Sequence, residues 1–91
     1  MADYDLTRLS VLIIDDNRHM RTLVRSILMA LGIRNITEAD DGSSALKLMK
    51  TIDADIVICD WQMQPMDGIQ FTKLVRKSEN SPDIYVPIIM L

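Results

Sequence analysis

Val11-Leu12-Ile13-Ile14-Asp15-Asp16-Asn17 sets an unbroken aliphatic run directly against two aspartates and an asparagine. A strand with one wet face alternates apolar and polar residues, so a continuous β-branched run reads as a strand buried on both faces, as in a parallel sheet. Downstream, Met20, Leu23, Val24, Ile27, Leu28 and Leu31 recur at helical spacing, with Arg18, Arg21 and Arg25 on the other face. Gly32 follows the last apolar position, where a helix end favours a left-handed residue. A second strand is expected around Ile33 to Glu38. Asp41-Gly42 marks a turn, and Ala45, Leu48, Met49 and Ile52 give a shorter helical stripe. Ile56-Val57-Ile58-Cys59 repeats the buried-strand pattern and again ends in aspartate, Asp60. Gln62 to Gly68 reads as a loop in which Asp67 caps a third helix. That helix is expected to turn Phe71, Leu74 and Val75 inward and Lys73, Arg76 and Lys77 outward. Glu79 to Asp83 is a polar turn, and Pro87 to Leu91 begins a further buried strand. The order βαβαβαβ calls for a parallel α/β sheet with helices on both faces.

Ninety-one residues, 48% apolar and 25% charged, suit one globular domain with a small core. A net charge of −3 argues against a general nucleic-acid binder, which carries a basic face. Eleven of the 13 acids are Asp, a turn, cap and metal-site residue. The single cysteine, Cys59, excludes an internal disulfide and a cysteine zinc site, and its aliphatic surroundings read as burial. Met1 to Asp5 lacks the basic start of a signal peptide. No apolar run reaches the roughly 18–20 residues that span a bilayer. A soluble, cytoplasmic chain with no membrane partner is the expectation.

In open parallel sheets, sites form at the carboxyl ends of strands near the point where strand order reverses. If the first and third strands are neighbours, Asp15, Asp16 and Asp60 converge there. Like charges so placed raise one another's pKa unless a cation sits among them. Mg²⁺ is the natural cation, taking hard oxygen ligands while keeping waters for a phosphate to displace. One aspartate after a strand is usually a cap or turn residue; a doublet plus a third at a separate strand end is harder to read that way.

Val11 to Asn17, then Ile56-Val57-Ile58-Cys59-Asp60-Trp61 and Met66-Asp67-Gly68, resemble the receiver domain of bacterial two-component response regulators, in that order and spacing. The resemblance runs from about Leu9 to Leu91 and implies a flavodoxin-like, doubly wound α/β fold with sheet order 2-1-3-4-5. Residues 1–91 would form its N-terminal portion through the fourth strand, without the last strand and the last two helices. The resemblance further implies a phosphoacceptor and not a turnover enzyme. Asp60 would take a phosphoryl group from a sensor histidine kinase or a phosphotransfer protein. Asp15, Asp16, Asp60 and the backbone carbonyl of Gln62 would hold Mg²⁺. No nucleic acid is expected to bind through this domain.

Two departures from the family pattern stand out. Proline usually follows directly on the methionine after the site; here Gln64 intervenes and Pro65 comes one place later, so a small change of loop shape is expected. The family's Ser or Thr after the fourth strand and Lys after the fifth are not found through Leu91. The chain is therefore expected to be a fragment of a longer product, with self-association through an uncovered fourth strand. The competing reading is a non-switching interaction module or fragment with the same fold. A haloacid-dehalogenase-type phosphohydrolase would want an acid where Gln62 stands. A topoisomerase-primase metal fold would need paired acids that Asp60-Trp61-Gln62 lacks, and no Gly-x-Gly-x-x-Gly supports dinucleotide binding. His19 is expected to be an exposed helix residue and Trp61 a half-exposed neighbour of the site. The methionines at 20, 29, 49, 63, 66 and 90 are expected chiefly to fill core. The Arg18, Arg21, Arg25 face reads as solvated, and the resemblance makes it a docking face for the kinase.

Overall fold

The computed structural model describes residues 5–77 and 85–91. After a short 3₁₀ turn come strand β1 (Ser10–Ile14), helix α1 (Arg18–Ala30), β2 (Asn35–Ala39), α2 (Gly42–Met49), β3 (Ile56–Cys59), α3 (Gly68–Lys77) and β4 (Ile88–Met90). The strands form one sheet in the order β2-β1-β3-β4, every neighbouring pair parallel. This is the doubly wound order expected, through the fourth strand. The polar turn anticipated at Glu79 to Asp83 lies outside the described residues.

β1 is central, and Val11 through Ile14 are each at most 1% exposed. Each such aliphatic side chain contributes roughly 1.5–3 kcal/mol on burial, which fixes this strand in the middle of the sheet. Its alternation divides the core. Leu12 and Ile14 join Val57, Cys59, Ala45, Met49, Phe71 and Val75 under α2 and α3. Val11 and Ile13 join Leu28 and Ile33 under α1. β2 starts two residues later than the sequence indicates, because Ile33 closes the α1 terminus, its N–H donating to the Leu28 carbonyl at 3.1 Å. Gly32 takes a φ of 101°, the left-handed cap its position suggested.

Four expectations about burial are corrected. On α1 only Leu28 is buried, while Met20, Leu23, Ile27 and Leu31 are exposed. The helix lies over β1 and β2 through the stripe Arg21, Val24, Arg25 and Leu28, spaced i, i+3, i+4, i+7, with Arg21 and Arg25 reaching Glu38 of β2. Leu74 is 42% exposed, on the outer side of α3 from Phe71 and Val75. Ile89 and Met90 are also exposed, since among the described residues no strand pairs with the outer edge of β4. Met49 and Met63 fill core, whereas Met20, Met29 and Met90 do not. His19 is exposed and Cys59 buried, as expected.

Candidate functional site

Because Ile14 of β1 stands beside Cys59 of β3, the next residue on each strand emerges at the same end of the sheet. The Asp60 N–H donates to the Ile14 carbonyl at 2.9 Å, carrying the pairing to the edge of the site. One carboxylate oxygen from each of Asp15, Asp16 and Asp60 lies within 4.8 Å of the others. Asp15 is buried at 6% exposure, Asp60 is half-buried and Asp16 is exposed. The cluster thus opens from a buried floor to a wet rim.

Local bonds fix each carboxylate. Asp15 Oδ1 accepts from the Asn17 N–H at 2.8 Å, and Asn17 caps α1 by accepting from the N–H groups of His19 and Met20. Asp60 Oδ1 accepts from the Gln62 N–H at 3.1 Å, so Gln62 is tied into the same loop. Burial raises the Asp15 carboxyl above the ordinary carboxylate range. The charges of Asp60 and Asp16 push the same way, against the lowering effect of the Asn17 N–H and of Arg21. Three crowded carboxylates, one buried and reluctant to ionise, make an all-oxygen anionic donor set that fits a hard divalent cation. The Cys59 thiol below them is pushed up to about 12 by burial and by the charges of Asp60, Asp15 and Asp67. It packs as a hydrophobe.

The loop after Asp60 is closed from behind. The Gly68 N–H donates to the Trp61 carbonyl at 3.1 Å, and Met63 is buried at 2% exposure. Asp67 and Gln70 form a reciprocal cap at the start of α3: the Gln70 N–H donates to Asp67 Oδ1, and the Asp67 N–H to Gln70 Oε1. Gly68 fits because a Cβ there would lie 2.7 Å from the Asp60 carbonyl oxygen and 2.8 Å from Trp61 Cα. The Gln64–Pro65 peptide bond within this loop is cis. Trp61 is 50% exposed beside the cluster.

Two residues of the site were not read as such from the sequence. Arg21, read as solvated, has a side chain only 16% exposed, and its guanidinium donates to the Asp15 carbonyl at 2.6 Å. Glu38 of β2 holds that guanidinium at 3.3 Å and Arg25 at 3.4 Å. The register of β2 on β1, Ile13 beside Glu38, would have exposed the connection, and it follows only from the paired sheet.

A family model described as the response regulator receiver domain matches residues 11–91. Chemotaxis protein CheY-3 of Vibrio cholerae serotype O1 is 40% identical over 83 residues, covering 91% of this chain and 62% of its own length. The chain thus spans less than two thirds of that relative. Among solved structures, chemotaxis protein CheY4 of Vibrio cholerae superposes with a TM-score of 0.78 at 32% identity, over 90% of this chain and 66% of that one. The receiver domain of the histidine kinase CKI1 from Arabidopsis thaliana, complexed with Mg²⁺ and BeF₃⁻, gives 0.78 at 30% identity over 94% and 68%.

Proposed function

The chain belongs to the response regulator receiver domain family, and on that premise we propose that Asp60 accepts a phosphoryl group from a phosphohistidine of a sensor histidine kinase or phosphotransfer protein. The observation supporting this reading most strongly is the convergence of the Asp15, Asp16 and Asp60 oxygens at the carboxyl ends of two adjacent parallel strands. Asp15, Asp16, Asp60 and the Gln62 carbonyl would hold Mg²⁺. When bound, the ion would offset the negative charge of the carboxylates and of the incoming phosphoryl oxygens.

The chain's own residues act by position. A carboxylate oxygen of Asp60 attacks phosphorus in line with the P–N bond; that bond breaks, its electron pair returns to the imidazole, and an acyl phosphate remains on Asp60. The Gln62 N–H on Asp60 Oδ1 orients the carboxylate for this approach. Asp16, exposed at the rim, and Asp15, on the floor, keep the site anionic and oxygen-lined. The role is that of a signalling phosphoacceptor, transferring once per phosphorylation event. The retained triad favours it over a non-switching module.

Residues 1–91 are assigned to the N-terminal portion of a receiver, through β4, in a cytoplasmic signalling protein. No helix among the described residues is long and apolar enough to cross a membrane. The outer edge of β4 would support self-association of the 91-residue polypeptide. Light scattering that finds a monomer at high concentration would count against this.

The test of the main reading is intact mass after treatment with Mg²⁺ and acetyl phosphate. One added phosphoryl group is expected in the wild type and none in Asp60→Asn or in the presence of a chelator. Persistent labelling in Asp60→Asn, or no labelling of the wild type, would reject the assignment.

A further inference from the structure

Away from the acidic cluster, α3 presents a second feature. Gln70, Lys73, Leu74 and Lys77, spaced i, i+3, i+4, i+7, line one side of an open groove of about 810 Å³, with Pro65 and Met66 of the preceding loop at its end. The floor is apolar: Leu74 is 42% exposed, and Met66 is half-buried beside it. A lone exposed leucine is unremarkable on a protein surface. Here it lies in a concavity flanked by two cations.

The charge is the more telling observation. The chain carries a net charge of −3, yet Gly68–Lys77 contains no acid. Arg76, on this helix, donates to the Val86 carbonyl at 2.6 Å and so has a structural use. Lys73 and Lys77 take part in no ion pair among the described residues. Lys77 complements the negative end of the helix dipole, but Lys73 sits in the middle of the helix, where that explanation fails. Their methylene stems can extend the apolar floor while the ammonium groups stay in water.

We propose that this groove is a docking surface for an acidic amphipathic helix of a partner protein. Leucine-like side chains of the partner would pack on Leu74, Met66 and Pro65, and its carboxylates would pair with Lys73 and Lys77. From Gln70 to Lys77 the stripe runs about 10 Å, so it presents two turns to a partner helix. The proposal shares no residue with the phosphoacceptor reading and can fail without it.

The experiment titrates the ¹⁵N-labelled full chain with a short synthetic helical peptide that carries leucines on one face and glutamates beside them. Expected are amide shifts centred on Lys73, Leu74 and Lys77, an affinity that falls with salt, and about tenfold weaker binding to Lys73→Glu/Lys77→Glu. Both lysines are exposed, so the variant should keep its circular dichroism and melting temperature, and Leu74→Asn gives an independent loss. Equal binding by the double variant would overturn the proposal. So would equal binding of a scrambled peptide of the same composition, or no binding at all. Vesicles containing phosphatidylserine that bind the wild type where the peptide does not would replace it with a membrane-docking surface.

Discussion

Arg21 donates from its guanidinium to the main-chain carbonyl of Asp15 at 2.6 Å, while Glu38 holds the same guanidinium from β2 at 3.3 Å. The contact pins the turn that carries Asp15 and Asp16 to two elements, α1 and β2. Its backbone target means that it sets where the acidic pair sits, whatever the protonation of the carboxylates.

If Asp15 and Asp16 hold Mg²⁺ as proposed, replacing Arg21 with Met should weaken its binding by about tenfold, the usual scale for losing a group that positions a metal ligand. Stability should fall by about 1–3 kcal/mol, because the Asp15 carbonyl and Glu38 lose their donor. Glu38→Gln keeps the Arg21–Asp15 bond and should cost less on both counts. Mg²⁺ titration followed by Trp61 fluorescence, with urea melts alongside, separates the two variants. Equal Mg²⁺ affinity in Arg21→Met and wild type would remove the positioning role.

Without a cation at the site, Asp15 carries a stability cost. Its carboxyl is raised by burial first and by Asp60 and Asp16 next, so the folded chain holds the proton more tightly than the unfolded chain. Stability is then greatest below the ordinary carboxylate value and falls as pH rises through the elevated one. Asp15→Asn lacks this loss and still offers an oxygen to the Asn17 N–H. It should melt higher than the wild type at neutral pH, with the gap closing in acid. Saturating Mg²⁺ should reverse the order. A variant less stable than the wild type at neutral pH without metal would contradict the assignment of the cost to Asp15.

The backbone of this picture was legible in the sequence wherever one residue's neighbours decide its state. Val11 to Ile14 has no polar position to expose, so a strand buried on both faces follows directly, whereas the convergence of Asp15 and Asp60 follows only once β1 and β3 pair. Legibility fails where a face is decided by what packs on it. The stripe Met20, Leu23, Ile27 is as apolar as any core stripe, yet it is exposed, because the orientation of α1 is set by Leu28, Val24 and the Arg21–Glu38 contact. Arg21 looks like a solvated cation until β2 supplies Glu38. Leu74 looks inward by spacing, but Phe71 and Val75 already fill the space under α3.

Two glycines at helix starts should respond differently to alanine. At Gly68 a Cβ would meet backbone, the Asp60 carbonyl oxygen at 2.7 Å and Trp61 Cα at 2.8 Å, and neither can yield without moving the site loop. At Gly42 it would meet Met66 Sδ at 2.7 Å, the far end of a flexible side chain. Gly68→Ala should cost about 1–3 kcal/mol and lower Mg²⁺ affinity, whereas Gly42→Ala should cost less as Met66 moves aside. Thermal melts of both variants with and without Mg²⁺ decide it. Comparable losses in the two would mean that the loop behind Asp60 yields more readily than its contacts indicate.

Cys59 offers a chemical readout of the same region. The thiol is fully buried and pushed up to about 12, first by burial and then by Asp60 and Asp15, so almost none is thiolate at neutral pH. Alkylation by iodoacetamide should wait for opening of the β3 core, and its rate should rise in parallel with unfolding as urea is added. If Asp15, Asp16 and Asp60 gather a cation only when folded, Mg²⁺ should slow the reaction by mass action, by a factor that grows with its concentration above the dissociation constant. Asp60→Asn should largely lose that protection while its thiol stays buried. Labelling in native buffer at the rate of a free thiol would place Cys59 outside the core; protection that ignores Mg²⁺ would separate the buried strand from the acidic site it supports.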